Sequence, residues 1–90
     1  MALLIKNAKI IDGSGNKAYD GAVYIEKEKI EKILTGKNEI QKFEDKANKI
    51  INADGLICAP GFIDTHSHSD LEVLSKPQLL PKLHQGITTE

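Results

Sequence analysis

Residues 60 to 70 read Pro60-Gly61-Phe62-Ile63-Asp64-Thr65-His66-Ser67-His68-Ser69-Asp70 and place two histidines one residue apart after a short apolar run. Residues two apart in a β-strand point to the same side of the sheet, so His66 and His68 can direct their ring nitrogens at one point. Neutral imidazole is a common zinc ligand, with Zn–N bonds of about 2.0–2.1 Å. The pair therefore predicts half of a metal site at the end of a strand.

The residues around the histidines distinguish this interpretation from the alternative of a surface or structural histidine cluster. Proline ends sheet pairing and glycine permits a sharp change of direction, so Pro60-Gly61 predicts a domain boundary. Phe62-Ile63 predicts a strand that is buried on both faces, as in parallel sheets. Asp64 lies one strand repeat before His66, where a carboxylate orients a histidine or is itself buried and bonded to backbone amides. The strand, the boundary and the position of the histidines favour the metal site.

Three segments of the chain together resemble a known family. The pattern Pro-Gly-Phe-Ile-Asp-x-His-x-His is similar to the first barrel strand of the amidohydrolase superfamily, whose members are metal-dependent hydrolases built on a (β/α)8 barrel. Ser69-Asp70-Leu71 and Gln85-Gly86-Ile87-Thr88-Thr89-Glu90 narrow the resemblance to the N-acyl-D-amino-acid deacylase, or D-aminoacylase, branch. The opening Leu4-Ile5-Lys6-Asn7-Ala8-Lys9-Ile10-Ile11-Asp12-Gly13 fits the N-terminal β segment of the superfamily, so the resemblance covers nearly the whole chain.

The resemblance implies a fold in two parts. Residues 1–59 would form a mainly β N-terminal segment, part of the composite β-sandwich domain of amidohydrolases. Residues 60–90 would form the first β/α unit of an incomplete TIM (β/α)8 barrel, with the first strand, a loop or helix, and the beginning of a second strand at Ile87. A TIM barrel takes roughly 250 residues, and this chain has 90. We therefore expect the N-terminal piece of a larger hydrolase.

The resemblance also implies a reaction for the intact parent protein, the hydrolysis of the amide bond of an N-acyl-D-amino acid by a metal-activated water. His66 and His68 would bind one of one or two zinc ions, and Asp70 would orient His68 or line the pocket. The remaining ligands and the general base, an aspartate, are expected beyond residue 90. Because two histidines fall short of the three protein ligands usual in a catalytic zinc site, the 90-residue chain alone is predicted to bind zinc weakly and to be inactive.

Two other functions remain open from the sequence. The parent could be a cyclic-amide hydrolase that resembles dihydroorotases or hydantoinases, although Ser69-Asp70-Leu71 and residues 85–90 favour the deacylase. In a different class, the isolated chain could be a non-catalytic β module that self-associates through exposed strand edges, because unpaired edges invite association.

Composition excludes several kinds of partner. The formal net charge is −1, and all 12 basic residues are lysines, so arginine is absent as a bidentate ligand for phosphate. The sequence contains no basic stripe with interleaved aromatic residues, so nucleic-acid binding is not predicted. Lys6 interrupts the apolar N-terminal run Met1–Ile5, so neither a signal peptide nor a membrane span is predicted there. The single cysteine, Cys58, excludes an intrachain disulfide and fits the reducing cytoplasm. A small-molecule substrate is the expected partner.

Local patterns predict most of the secondary structure. Alternating apolar residues predict a hairpin from Gly21–Glu26 and Lys29–Leu34. Apolar residues at intervals of three or four predict at most a short helix, or an irregular excursion over the β layer, between Gly36 and Lys49. The Asp54-Gly55 turn predicts a second hairpin, and residues 3–11 predict two short strands joined by a turn near Lys6-Asn7. The remaining predictions concern single residues: Cys58 as core, a helix that breaks or starts late near Pro81, and His84 at the surface.

Overall fold

The structure is a computed structural model that describes residues 1–65 and 83–89. The chain divides into two units, Met1–Ala59 and Pro60–Glu90. Strands predominate in the described residues, which confirms the mainly β prediction. The elements are β1 (Ala2–Ile10), β2 (Tyr19–Glu26), β3 (Lys29–Leu34), α1 (Lys37–Lys46), β4 (Lys49–Asn52), β5 (Ile57–Cys58), β6 (Phe62–Ile63) and β7 (Ile87–Thr89).

The first unit is a five-stranded mixed sheet in which β1 is central. The strand order is β3-β2-β1-β4, and β5 pairs with β1 as well. β2 and β3 form an antiparallel hairpin, in which Val23 pairs with Ile33, and the predicted hairpin is thereby confirmed. Lys27 at its tip has a φ of 57°, which lets a tight turn connect the two strands.

A bulge replaces the turn that the sequence predicts near Lys6-Asn7. Residues 2–10 form one strand, and its register with β2 shifts between Ile5 and Ala8. Asn7 lies in this shift with a φ of 57°, a left-handed conformation that asparagine tolerates better than most residues. Its Nδ2 donates to Oδ1 of Asn52 at 3.0 Å. The prediction of two separate strands is wrong, because the extra residue is absorbed within one continuous strand.

The predicted second hairpin is also wrong, although its turn is present. Asp54 and Gly55 have φ values of 51° and 84°, and the Leu56 amide donates to the Ala53 carbonyl at 2.9 Å. The strands on either side nevertheless both run parallel to β1. The Ala53 and Gly55 amides donate to the carbonyls of Lys6 and Asn7, both at 2.8 Å, so the open edge of β1 holds the turn in place. The turn accommodates extra residues and does not reverse the chain.

Both faces of this sheet contribute to the core. Helix α1 covers one face, where the Tyr24 and Phe43 rings meet edge-on at 4.7 Å and Lys6 Nζ lies 3.0 Å from Glu44 Oε1. The short helix is thereby confirmed. The buried residues on the helix side are Ala2, Leu4, Ala22, Tyr24 and Leu34, with Ile40, Phe43 and Ala47 packed against them. A second cluster contains Ala8, Ile10, Val23 and Ala53, with Ile5, Tyr19, Ile25 and Cys58 packed against it.

The second unit contains a small parallel sheet of β6 and β7. Phe62 pairs with Ile87 and Ile63 with Thr89. Among the described residues β6 has one strand neighbour, and Phe62 and Ile63 are 64% and 69% exposed, so the expected burial on both faces is not observed. Burial of a parallel strand on both faces requires a layer on each side. The start of a TIM barrel at residues 60–90 stays a prediction.

Candidate functional site

Strand β6 brings the chain to the predicted metal-binding segment. The Phe62 amide donates to the Gly86 carbonyl and the Asp64 amide to the Thr89 carbonyl, both at 2.7 Å. Because β6 and β7 are parallel, their C-terminal ends lie at the same edge of the sheet. Asp64 is half-buried and Thr65 is exposed at this edge. In barrel enzymes the C-terminal ends of the strands carry the chemistry.

The predicted ligands begin at His66, three residues after Ile63, the last residue of β6. His66, His68 and Asp70 lie outside the described residues, so their assignment stays a prediction. Asp64 is the one predicted site residue that the structure places, and its backbone is fixed by the bond to Thr89. No group of three or more histidine, cysteine, aspartate or glutamate side chains within residues 1–65 and 83–89 could hold a metal ion.

Two further residues carry side chains that can bind metals, Cys58 and His84. Cys58 is half-buried, pairs with Ile10 across the sheet and packs against the second core cluster. Its prediction as a core residue is confirmed. His84 is exposed in the turn before β7, which confirms the surface prediction.

Sequence reasoning missed two close contacts around β6 and β7. Gly61 lies against the side chain of Thr88, and Gly86 lies against the ring of Phe62. The signal in the sequence was a glycine directly before each apolar strand. Such a glycine also fits an ordinary turn, and only the structure shows which side chain approaches it.

The clearest electrostatic effect lies in the loop after β1. Asp12 Oδ1 accepts hydrogen bonds from the Ser14 hydroxyl and, at 3.0 Å, from the Ser14 amide, while Oδ2 accepts one from the Tyr19 hydroxyl at 3.4 Å. The bond from the Ser14 hydroxyl is the main cause of a lowered Asp12 pKa. Desolvation first, and then the Asp12 charge, raises the pKa of Tyr19. These exposed bonds order a turn in which Gly13 and Gly15 have positive φ.

A helix that spans a membrane must be long and apolar enough to cross the bilayer. Within residues 1–65 and 83–89, no helix combines the length and the hydropathy needed to cross a bilayer.

Comparison with known proteins finds relatives of two enzymatic kinds. The chain is 39% identical over 90 residues to an N-acyl-D-aspartate deacylase of Alcaligenes xylosoxydans xylosoxydans, covering 96% of this chain and 16% of that protein. It is 43% identical over 75 residues to a 5-methylthioadenosine/S-adenosylhomocysteine deaminase of Caldicellulosiruptor saccharolyticus, covering 82% of this chain and 17% of the deaminase. No family model matches the chain.

The fold is similar to solved structures of D-aminoacylase. These match 96% of this chain and 17% of the solved chain, with a TM-score of 0.81 and 26% identity. D-aminoacylase is described as having a binuclear metal centre and as defining a subset of amidohydrolases. The chain thus spans 16–17% of the length of the proteins it matches.

Proposed function

Since this chain belongs to the D-aminoacylase branch of the amidohydrolases, we propose that its parent protein hydrolyses the amide bond of N-acyl-D-amino acids. The observation that carries the proposal is the 39% identity to N-acyl-D-aspartate deacylase across 96% of the chain. The 0.81 TM-score to D-aminoacylase supports it independently of sequence identity. The products would be a free D-amino acid and a carboxylate.

In this proposal His66 and His68 bind a divalent metal, and we assign one or two zinc ions. The chemistry of the donors supports zinc, because imidazole nitrogens are among its preferred ligands. The binuclear metal centre of D-aminoacylase supports metal dependence. When bound, the metal would polarise the scissile carbonyl and lower the pKa of a water ligand towards about 7.

The chain's own carboxylates would support the histidines. Asp64 is half-buried and its backbone amide is bonded to the Thr89 carbonyl, so its backbone is held two residues before His66. We propose that it orients a histidine ring, the role that carboxylates commonly play beside metal ligands. Asp70 orients His68 or lines the substrate pocket. The general base comes from outside residues 1–90, and the isolated chain is therefore inactive.

The deaminase relative supports a second candidate function. Its identity is the higher of the two, 43%, although over a shorter stretch of 75 residues. A deaminase of this kind would also break a carbon–nitrogen bond, but it would release ammonia from a purine ring. The D-amino-acid deacylase is preferred because that relative covers 96% of the chain against 82% for the deaminase. The cyclic-amide hydrolase stays a weaker alternative.

A substrate comparison tests the choice between the enzymatic functions. The full-length parent protein is assayed with N-acetyl-D-aspartate, N-acetyl-L-aspartate, 5′-methylthioadenosine and dihydroorotate. We expect hydrolysis of the D-enantiomer alone, and loss of activity on His66→Ala and His68→Ala. Deamination of 5′-methylthioadenosine or opening of dihydroorotate without deacylation would contradict the proposal.

A zinc titration tests the proposed ligands in the 90-residue chain itself. With two imidazoles and water as ligands, we expect weak binding by calorimetry that disappears when both histidines are replaced by alanine. His84→Ala is the matched control, because this histidine is exposed and lies in the turn before β7. Equal zinc binding by the double variant would remove His66 and His68 from the site.

For the isolated chain we also propose self-association through the exposed residues of β6 in the second unit. The exposure of Ile63 (69%) on a two-stranded sheet supports this proposal. A cytoplasmic location of the parent, with a small molecule as its partner, completes the proposal, since the single cysteine fits a reducing compartment.

A further inference from the structure

We infer that Gly61 and Gly86 set the register of β6 against β7, because each glycine admits a side chain from the opposite strand. The side chain of Thr88 lies against Gly61, and the ring of Phe62 lies against Gly86. Each glycine directly precedes its own strand, so the arrangement is reciprocal. The inference rests on the proposed function, since β6 leads directly into His66 and His68.

Gly61 is needed for space and not for backbone conformation. A Cβ added there would lie 2.7 Å from the Thr88 Cβ and still closer to its Oγ1 and Cγ2. The described glycines with positive φ are Gly13, Gly15, Gly55 and Gly86, and Gly61 is not among them. Alanine could adopt the Gly61 backbone conformation, but it would collide with the side chain of Thr88.

Gly86 meets two requirements at once. Its φ of 88° is one that L side chains rarely adopt, and a Cβ would lie 3.2 Å from Cδ2 of the Phe62 ring. Its carbonyl accepts the Phe62 amide at 2.7 Å. Phe62 is therefore held to Gly86 through its backbone and through its ring.

The contact at Gly61 coincides with a bulge in β7. Phe62 pairs with Ile87 and Ile63 pairs with Thr89, so Thr88 is the extra residue between the two pairs. Bulges change the direction of a strand and are frequent beside active sites. A slip of one residue would move β6 side chains to the opposite face, and in one direction it would bring Ile87, which is larger than Thr88, to the level of Gly61.

Thr88 is thereby assigned as a positioning residue. Its contact with Gly61 fixes the register in which the Asp64 amide donates to the Thr89 carbonyl, at 2.7 Å. That bond holds the backbone at Asp64, from which the chain continues through Thr65 to His66. Thr88 acts through β6 and does not itself contact a substrate or a metal in this assignment.

The test is Gly61→Ala in the 90-residue chain, followed by NMR without added metal. Since overpacking disrupts local pairing, we expect hydrogen-exchange protection of the Phe62 and Asp64 amides to fall about tenfold or more. The backbone and imidazole resonances of His66 and His68 should shift, while the amides of the first unit keep their protection. Gly36→Ala is the matched control, because Gly36 has a φ of −87° and the nearest atom to an added Cβ is 4.0 Å away.

A second substitution separates this contact from a general loss of stability. Thr88→Gly removes all three colliding atoms, so Gly61→Ala/Thr88→Gly should return protection to within about twofold of Thr88→Gly alone. The double variant Gly61→Ala/Thr88→Ala keeps the Cβ of residue 88, so it should restore protection only in part. Unprotected Phe62 and Asp64 amides in the unmodified chain, no change in Gly61→Ala, or no recovery in the double variant would each overturn the inference.

The outcome is independent of the zinc titration. Absence of zinc binding by the 90-residue chain, with amide protection that responds to Gly61→Ala as expected, would reject the proposed metal ligands alone. Zinc binding that depends on His66 and His68, with no fall in amide protection in Gly61→Ala, would reject the inference alone.

Discussion

The two units of this chain stabilise their strands in different ways. In Met1–Ala59, β1 has strand neighbours on both sides, and side chains such as Leu4 and Leu34 are fully buried. In the described part of Pro60–Glu90, β6 and β7 pair with each other and leave Ile63 69% exposed. Apolar residues in a strand become core only where another layer covers them. The difference predicts that stability resides in the first unit and that association involves the second.

The largest expected effect is on the core of the first unit. Leu4 is 0% exposed and packs with Tyr24 and Leu34 in the helix-side cluster. Leu4→Ala should lower the free energy of unfolding by about 2–5 kcal/mol, because it removes buried methyl groups and leaves a cavity. Urea unfolding followed by circular dichroism measures the change. A loss below about 1 kcal/mol would show that the stabilising core lies elsewhere. The claim that stability resides in the first unit would then be wrong.

An intermediate effect is expected on association through the second unit. Ile63→Lys should weaken self-association of the chain in sedimentation velocity, because a charge on an open strand discourages edge pairing. The free energy of unfolding should stay within about 0.5 kcal/mol, as for most surface substitutions.

Ile30→Lys provides the matched control for this substitution. Ile30 is 65% exposed on β3, a strand whose edge already carries Lys29, Glu31 and Lys32. Charged side chains protect such an edge, so the control should leave association unchanged. Equal loss of association in both variants would show that the two sheets associate alike.

The smallest expected effect is electrostatic and lies in the loop of the first unit. Ser14→Ala removes the hydroxyl that is the main cause of the lowered Asp12 pKa, so this pKa should rise towards its ordinary value of 3.8. A carboxyl group with a lowered pKa in the folded state contributes stability above its unfolded pKa and loses it as the pH falls through the folded value. The stability difference between the two proteins should therefore shrink as the pH falls below 3.8.

NMR titration of the Asp12 carboxyl carbon measures this pKa directly. An unchanged Asp12 pKa in Ser14→Ala would assign the shift to the backbone amide of Ser14 and to Tyr19 instead.

Several elements could be predicted from local patterns because their causes are local. Alternation around Val23 and Ile25 specified the β2–β3 hairpin, and the spacing of Ile40 and Phe43 specified the amphipathic helix. The Asp54-Gly55 pair correctly predicted a turn. In each case the signal depends on neighbours within a few residues.

Pairing partners could not be predicted in the same way. The turn at Asp54-Gly55 fits a hairpin equally well. In the structure it lies along the edge of β1 at the bulge, where the carbonyls of Lys6 and Asn7 accept the amides of the turn. The burial expected for Phe62-Ile63 failed for a related reason, because burial depends on the layers available and not on the apolar sequence.

The family and the candidate ligands His66 and His68 followed from the order of residues, because motif and chemistry are written in side-chain identity and spacing. The choice of strand partners, the bulge at Asn7 and the contact of Thr88 with Gly61 were decided by the tertiary structure. These features depend on which open edge is available and on how closely two backbones approach. A glycine with an ordinary φ gives no sign in the sequence of the side chain that will occupy its space.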